Sequence, residues 1–337
     1  KPESVSTVAA AIHVITQEDI RRSGVTVLPE ALRLAPGLDV ARVDAHTWAI
    51  SARGFNDQFA NKLLVLVDGR SVYTPLFSGV YWDIQDTVLE DVDRIEVVRG
   101  PGGTMWGANA VNGVINIITK PARDTQGVLV NGGSGTEERG VANFRYGGRL
   151  GEKAYYRIYG KYLNTDDSVL PSGHPADDSW WMSRGGFRTD WEPREGTQLT
   201  LQGDVHSGEL EKTFTGYSVT PPYAPVINDL IEADGGNVLG RFVRQFPGGG
   251  DLSLQLYYDR MRRESTVAGE ERDTVDVDAQ HRLRLGERNE VVWGGGFRYS
   301  HDYLSGPFNP TPSRSSHDTH LVNAFIQDEI TLVPDRL

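Results

Sequence analysis

The chain has 337 residues, 38% hydrophobic and 24% charged, with a formal net charge of −12 and no cysteine. The length allows two domains or one large one, the acidic balance argues against nucleic acid as the main partner, and the missing cysteines close disulfide, zinc–thiolate and thiol-nucleophile chemistry. No run of about eighteen apolar residues occurs, which excludes a membrane-spanning helix but not a β-barrel, whose strands alternate apolar with polar residues.

The chain opens at Lys1-Pro2-Glu3-Ser4 without an apolar signal region, as a trimmed or internal start would. Ala11-Ile12-His13-Val14-Ile15 reads as a short strand. Thr16 is placed to cap a helix, with Glu18 and Asp19 in its first turn and Gly24 at its end. A second short helix, Leu28 to Leu34, stops before Pro36-Gly37. Lys62-Leu63-Leu64-Val65-Leu66-Val67 is a buried strand that enters an Asp68-Gly69 turn, and Arg94 to Val98 and Val114 to Ile118 are two more strands. The glycine-rich stretch Arg99 to Gly107 has Walker-like spacing between Gly102 and Gly107, but Ala108-Asn109 follow where Lys-Ser/Thr is required, so a glycine turn between strands is the better reading.

After Pro121 helical signals fade and period-two alternation takes over. Leu252, Leu254, Leu256 and Tyr258 alternate with Ser253, Gln255, Tyr257 and Asp259, and similar patterns surround Leu199 to Val205 and Val275 to Ala279. A sandwich of antiparallel sheets alternates in the same way. Three features favour a membrane barrel: long strands, aromatics toward strand ends (Trp180, Trp181, Trp191, Phe246, Tyr299), and connections that alternate in length. About ten strands are expected. Tight connections fall near 150–152, 192–196, 247–250 and 286–288, long ones at 164–179, 207–236 and 302–317, and modest ones at 135–138 and 264–271. Long loops belong outside the cell in that pattern.

Three blocks resemble the plug signature of TonB-dependent outer-membrane receptors: Arg94-Ile95-Glu96-Val97-Val98-Arg99-Gly100-Pro101, Trp106-Gly107-Ala108-Asn109-Ala110 and Gly113-Val114-Ile115-Asn116-Ile117-Ile118-Thr119. Leu28-Pro29-Glu30-Ala31-Leu32, Pro36-Gly37, Arg53-Gly54-Phe55 and Leu66-Val67-Asp68-Gly69 fit the same family, in its order, so the motifs cover nearly all of residues 5 to 120. The resemblance implies an α+β plug domain over residues 1–120, followed at 121–337 by antiparallel strands of a transmembrane β-barrel. Ten strands tilted about 40° close at a radius near 10 Å, too narrow for a plug of about 120 residues with a solid radius near 17 Å. Twenty-two close at about 22 Å, so the chain is expected to be the N-terminal part of a larger barrel.

The resemblance also implies a function. Such a receptor imports a scarce nutrient, a metal chelate such as an iron–siderophore, or a corrinoid, through the outer-membrane lipid, energised by the inner-membrane partner TonB pairing as a strand with an N-terminal box. No such box stands before Val5. Solute contacts are expected from plug loops, at Phe55, Asn56, Asp57, Gln58 and Phe59 and at Tyr73, Thr74, Phe77, Tyr81 and Trp82, although Phe77, Tyr81 and Trp82 could equally pack the plug core. Arg53 and Arg99 resemble the family's lock arginines, with Glu329 as candidate barrel partner. Plug–barrel contacts are expected to be polar and many of them water-mediated, so that they exchange at low cost. The spacing of His301, His317 and His320 suits no metal site, no Gly-x-Ser-x-Gly elbow occurs, and no catalytic constellation or cofactor site is expected. A ligand-binding or adhesion barrel without active transport, and a soluble enzyme with a β-sandwich, are the competing readings.

Overall fold

Thr16 ends one element and begins the next. It closes strand β1 (Ala11–Thr16) and caps helix α1 (Gln17–Ser23): its hydroxyl accepts from the Asp19 amide at 3.2 Å, while the Asp19 carboxylate accepts from the Thr16 amide at 2.9 Å. Gly24, at φ 73°, supplies the left-handed residue that ends the helix. The second helix is shorter than expected: α2 covers Leu28–Ala31 and tightens into a 3-10 turn at Leu32–Leu34. The computed structural model describes residues 11–54, 56–100, 109–216, 220–266, 268–286, 288–306 and 315–331.

A hairpin that the sequence reading missed follows, β2 (Leu38–Arg42) with β3 (Trp48–Ala52). Next come β4 (Leu63–Val67), β5 (Arg70–Ser71), β6 (Val92–Arg99) and β7 (Gly113–Thr119). They join β1 in a mixed sheet of order β1-β6-β7-β4-β5, in which β4 and β7 run parallel. Ile15, Leu28, Leu32, Ile95, Ile115 and Ile117 are almost fully buried in the core beneath it.

Ten antiparallel strands then run in sequence order: β8 (Gly127–Gly133), β9 (Glu138–Leu150), β10 (Ala154–Thr165), β11 (Trp180–Arg194), β12 (Thr197–Thr215), β13 (Val226–Gln245), β14 (Asp251–Glu264), β15 (Gly269–Leu285), β16 (Asn289–Ser305) and β17 (Ser315–Ile330). The tight turns lie where they were expected. The expected 207–236 loop does not exist as such: β12 and β13 extend as a long polar hairpin and leave only 216–225 between them. Polar strand residues that project beyond the membrane carry no apolar alternation, so they read as loop. The same holds for β16 and β17, which shorten the expected 302–317 connection.

The register explains why this sheet needs lipid. One rung crosses all ten strands as Val128, Tyr146, Ile158, Phe187, Gly203, Val238, Tyr258, Val275, Tyr299 and His320. The next rung, from β10 onward, runs Tyr156, Thr189, Leu201, Gly240, Leu256, Val277, Phe297 and Val322. Most of these large apolar side chains are exposed, which water would not tolerate over so wide a band. Between the rungs, on the opposite face, stand Arg157, Arg188, Gln202, Leu239, Tyr257, Asp276 and Arg298. Trp191, Phe246 and Trp293 lie toward the tight-turn ends and Tyr162, Tyr258 and Tyr299 toward the other, as interfacial girdles do. Trp180 is a correction: it points inward and packs on the plug, while its neighbour Trp181 takes the outward face. The sheet is open between β8 and β17, part of a barrel rather than a closed one.

Candidate functional site

Arg157 and Arg188 face each other directly across β10 and β11, an arrangement that costs energy unless other groups neutralise it. The plug supplies the partners. Arg157 lies 3.5 Å from Asp91 and donates to the Lys120 carbonyl at 2.5 Å; Arg188 donates to the Thr119 hydroxyl at 3.0 Å and to Asp190 of its own strand. The same logic recurs around the lumen. Arg145 pairs with Asp91 at 2.5 Å, Lys161 with Asp86 at 2.6 Å, and Arg263 with Asp83 at 2.5 Å. Arg70 pairs with Asp259, and Arg184 donates to the Ile84 carbonyl.

The Asp68-Gly69 turn is gripped from three strands. Asp68 accepts from Thr119 of the plug and from Gln202 at 2.8 Å, and its carbonyl accepts from Arg241. Gly69 has φ 83°, a conformation that selects glycine, and a Cβ there would sit 3.0 Å from the Gln255 side chain, which would have to shift.

Nearer the long-loop ends the contact changes character. Leu163, Trp180, Met182, Leu210, Ile231, Ala233 and Met261 of the strands share one core with Trp48, Val72, Val80, Trp82 and Ile84 of the plug. Trp180 meets Trp48 edge to face at 6.1 Å and His46 at 6.4 Å. His46 is buried, its Nε2 2.8 Å from the Glu211 carbonyl, which fixes the proton on that nitrogen while the ring is neutral. Burial pushes its pKa down, against the opposing pull of Asp44. The expectation of a polar interface therefore holds for the middle of the lumen and fails here.

Above this core lies the plug apex. Phe59, Phe77 and Tyr81 form an edge-to-face series with centroids 5.3 and 4.9 Å apart, and the Arg263 guanidinium sits 4.7 Å from the Tyr81 ring centre. A Cβ at Gly79 would lie 2.8 Å from the Ala60 carbonyl, so the loop closes this tightly only with glycine. Phe59 is 54% exposed; Asn56 and Asp57 are exposed, and Gln58, Tyr73, Phe77 and Tyr81 half-buried. Phe55 lies outside the described residues. Two members of the expected set do not face a solute. Thr74 is 0% exposed and donates to Glu270 of β15 at 2.6 Å; Trp82 is 6% exposed and belongs to the core. Tyr81 donates to the same Glu270 at 3.0 Å, and burial followed by that carboxylate holds its hydroxyl well above the usual phenol range. Beside it a cavity of about 480 Å³ is lined by residues including Arg263, Glu264, Glu270, Tyr303 and Ser305.

Arg53 is exposed at φ 65°, its guanidinium beside Gly100, and Arg99 is half-buried against Gly37. Among the described residues neither forms an ion pair with Glu329, which stands opposite Glu290 at the tight-turn end of β17. His317 and His320 point to opposite faces of one strand, and among the described residues no cluster of three or more His, Asp or Glu could hold a metal. Glu270, Arg263, Asp83 and Asp91 escaped the sequence reading. Asp83 and Asp91 lie in short 3-10 turns and Arg263 and Glu270 in charged strand ends, where no apolar period marks a contact in advance.

Comparison with known proteins agrees with this geometry. The family model described as TonB-dependent Receptor Plug Domain matches residues 4–114. Vitamin B12 transporters BtuB are 31% identical: that of Vibrio vulnificus over 144 residues, 42% of this chain and 23% of the relative, and that of Vibrio cholerae over 190 residues, 56% and 30%. The siderophore receptor PirA from Pseudomonas aeruginosa superposes with TM-score 0.68 at 23% identity, over 97% of this chain and 54% of that one. FpvA of P. aeruginosa, solved with pyoverdine, gives 0.72 at 14%, over 98% and 50%. The chain thus spans about half the length of these solved structures, and its match to the curated relatives covers less than a third of theirs. Their family is one of receptors and transporters rather than enzymes. Residues 4–114 thus match the plug domain of TonB-dependent receptors, and with a lipid-facing open sheet behind it the chain has the architecture of such an outer-membrane receptor, a plug domain and part of a barrel.

Proposed function

We propose that the protein is the receptor for TonB-energised uptake of a scarce, bulky nutrient, a metal chelate such as an iron–siderophore or a corrinoid, and that it catalyses no reaction. The observation that carries this reading is the aromatic shelf Phe59–Phe77–Tyr81 at the plug apex, turned toward the long-loop end of the lumen. The rings of Phe59 and Phe77 suit a solute that presents large, partly apolar faces, and the Arg263 and Glu270 charges at Tyr81 suit polar groups on it. We count Asn56, Asp57, Gln58 and Tyr73, all exposed or half-buried, in the same site, with Phe55 beside the first three in sequence. We divide the chain into a plug at 1–120 and barrel strands at 121–337. Arg53 and Arg99 are read as lock residues toward barrel carboxylates, with Glu329 kept as a candidate once the plug moves. TonB would pair as an added strand near the N-terminus and pull.

The test is equilibrium binding. Full-length receptor in detergent is titrated with cyanocobalamin and with a panel of ferric siderophores while Tyr and Trp emission is followed. At least one solute should bind, and F77A should weaken it about ten- to a hundredfold. Binding by none, or binding untouched by F77A and Y81A, would overturn the assignment of the shelf.

A further inference from the structure

Behind the shelf, three buried charged side chains share too little positive charge. Glu270 is 3% exposed and Asp302 4%, and Arg272 is buried between them. Arg272 stands opposite Asp302 in the β15–β16 register, yet its guanidinium turns to Glu270 at 3.4 Å and to the Met261 sulfur at 3.8 Å. Among the described residues neither Asp302 oxygen, both buried, has a hydrogen-bond partner. Arg263 does not relieve the deficit, because Asp83 already neutralises it. Across β17 the register places His317 beside Asp302, without a hydrogen bond between them. Glu270 meanwhile has two donors from the plug, Thr74 and Tyr81.

We propose that Arg272 is a positioning residue divided between two carboxylates, one held by the plug and one without a hydrogen-bond partner among the described residues, so that the docking of Tyr81 sets how far Asp302 is neutralised. While Thr74 and Tyr81 donate to Glu270, Arg272 is only loosely required there and its field serves Asp302 as well. When the apex shifts and those donors leave, Glu270 draws the guanidinium in and Asp302 becomes an uncompensated buried carboxylate, an expensive state. Asp302 lies three residues from the end of β16, so the shelf is coupled through Arg272 to the wall beneath an extracellular loop. This deepens the proposed solute site and rests on that reading for its purpose. The coupling itself requires no solute.

The experiment is a mutant cycle on full-length receptor without solute, read by amide hydrogen exchange over residues 73–84. Y81F removes one donor from Glu270 and should speed exchange about tenfold in the native background. In D302N nothing competes for Arg272, which can then satisfy Glu270, and the same substitution should speed exchange about threefold or less. In D302N/R272M the tenfold response should return. General loosening of the wall would not produce this background dependence. T74V in place of Y81F should follow the same pattern, and D302A replaces D302N if heat-modifiability shows that D302N fails to assemble. An equal response in all three backgrounds would overturn the proposal. Solute titration in the native background is scored separately, so a failed cycle with intact binding rejects the coupling and leaves the receptor reading standing.

Discussion

The plug meets the barrel wall in two zones built on opposite principles. In mid-lumen the contacts are carboxylate–guanidinium and carboxylate–ammonium pairs, such as Asp91–Arg145 and Asp86–Lys161. Toward the long-loop end the contact is dominated by a shared apolar core in which Trp180 wedges against Trp48, with the Arg263–Asp83 pair and the Glu270 hydrogen bonds beside it. The first kind is directional, and water entering the seam can replace it group by group. The second resists because exposing its surface has no substitute partner. Mid-lumen side chains also confront like charges across the sheet, as Arg157 does Arg188, so the wall depends on its plug as much as the plug on its wall. Movement of the plug should therefore begin in mid-lumen and be resisted at the apex.

Substitutions can break or sharpen this contrast. The largest effect is expected for Trp180→Ala, which empties the apolar wedge and should cost about 3–5 kcal/mol, seen as a lower unfolding temperature by calorimetry of the full-length receptor and insensitive to salt. Asp91→Asn comes next. It leaves two buried guanidiniums, Arg145 and Arg157, without their carboxylate and should cost about 3 kcal/mol, while Asp91→Leu with Arg145→Met should recover part of the loss. If Asp91→Asn were neutral, the mid-lumen pairs would contribute nothing and the contrast would fail.

A smaller effect is expected from pH. His46 titrates below its ordinary range when folded, whereas the unfolded chain takes up a proton near 6.5. Its contribution is thus complete above about 6.5 and is lost as pH falls from there toward the folded value. Unfolding temperature should decline over that window, and less steeply in His46→Gln. The smallest effect belongs to Glu18, which pairs with Arg21 and Arg22 on an open helix; hydrogen bonds from those arginines hold its pKa down to about 2. Glu18→Gln should leave the unfolding temperature within error, because exposed pairs of the same chemistry are screened by water.

Much of this architecture could be read in advance, and the failures share a cause. Thr16 and Asp19 announced a cap, and Asp68-Gly69 a turn, because those signals are local. Period-two alternation located ten strands, since one face of each meets lipid. Alternation says which side chains share a face but not what that face meets. Trp180 and Trp181 looked alike as girdle residues, and only the fold sends one inward. Strands β2 and β3 are short and give no clear period, and the extended hairpin of β12 and β13 is polar where it leaves the membrane. Among the expected solute residues, Phe59, Phe77 and Tyr81 come together, whereas Thr74 and Trp82 are spent on the wall and the core. The barrel residues that hold the apex, Glu270 and Arg263, come from strands nearly two hundred positions away, as the Tyr81–Glu270 separation of 189 shows, and no local signal reports such a meeting.

The most direct test of the receptor reading is accumulation of solute in living cells. Cells that carry the full-length gene are given radiolabelled cobalamin or radio-iron chelates, with TonB present or deleted. The expected result is accumulation of at least one solute with TonB and none without it. Accumulation that persists without TonB, or firm surface binding that never becomes accumulation, would contradict energised import through a displaced plug.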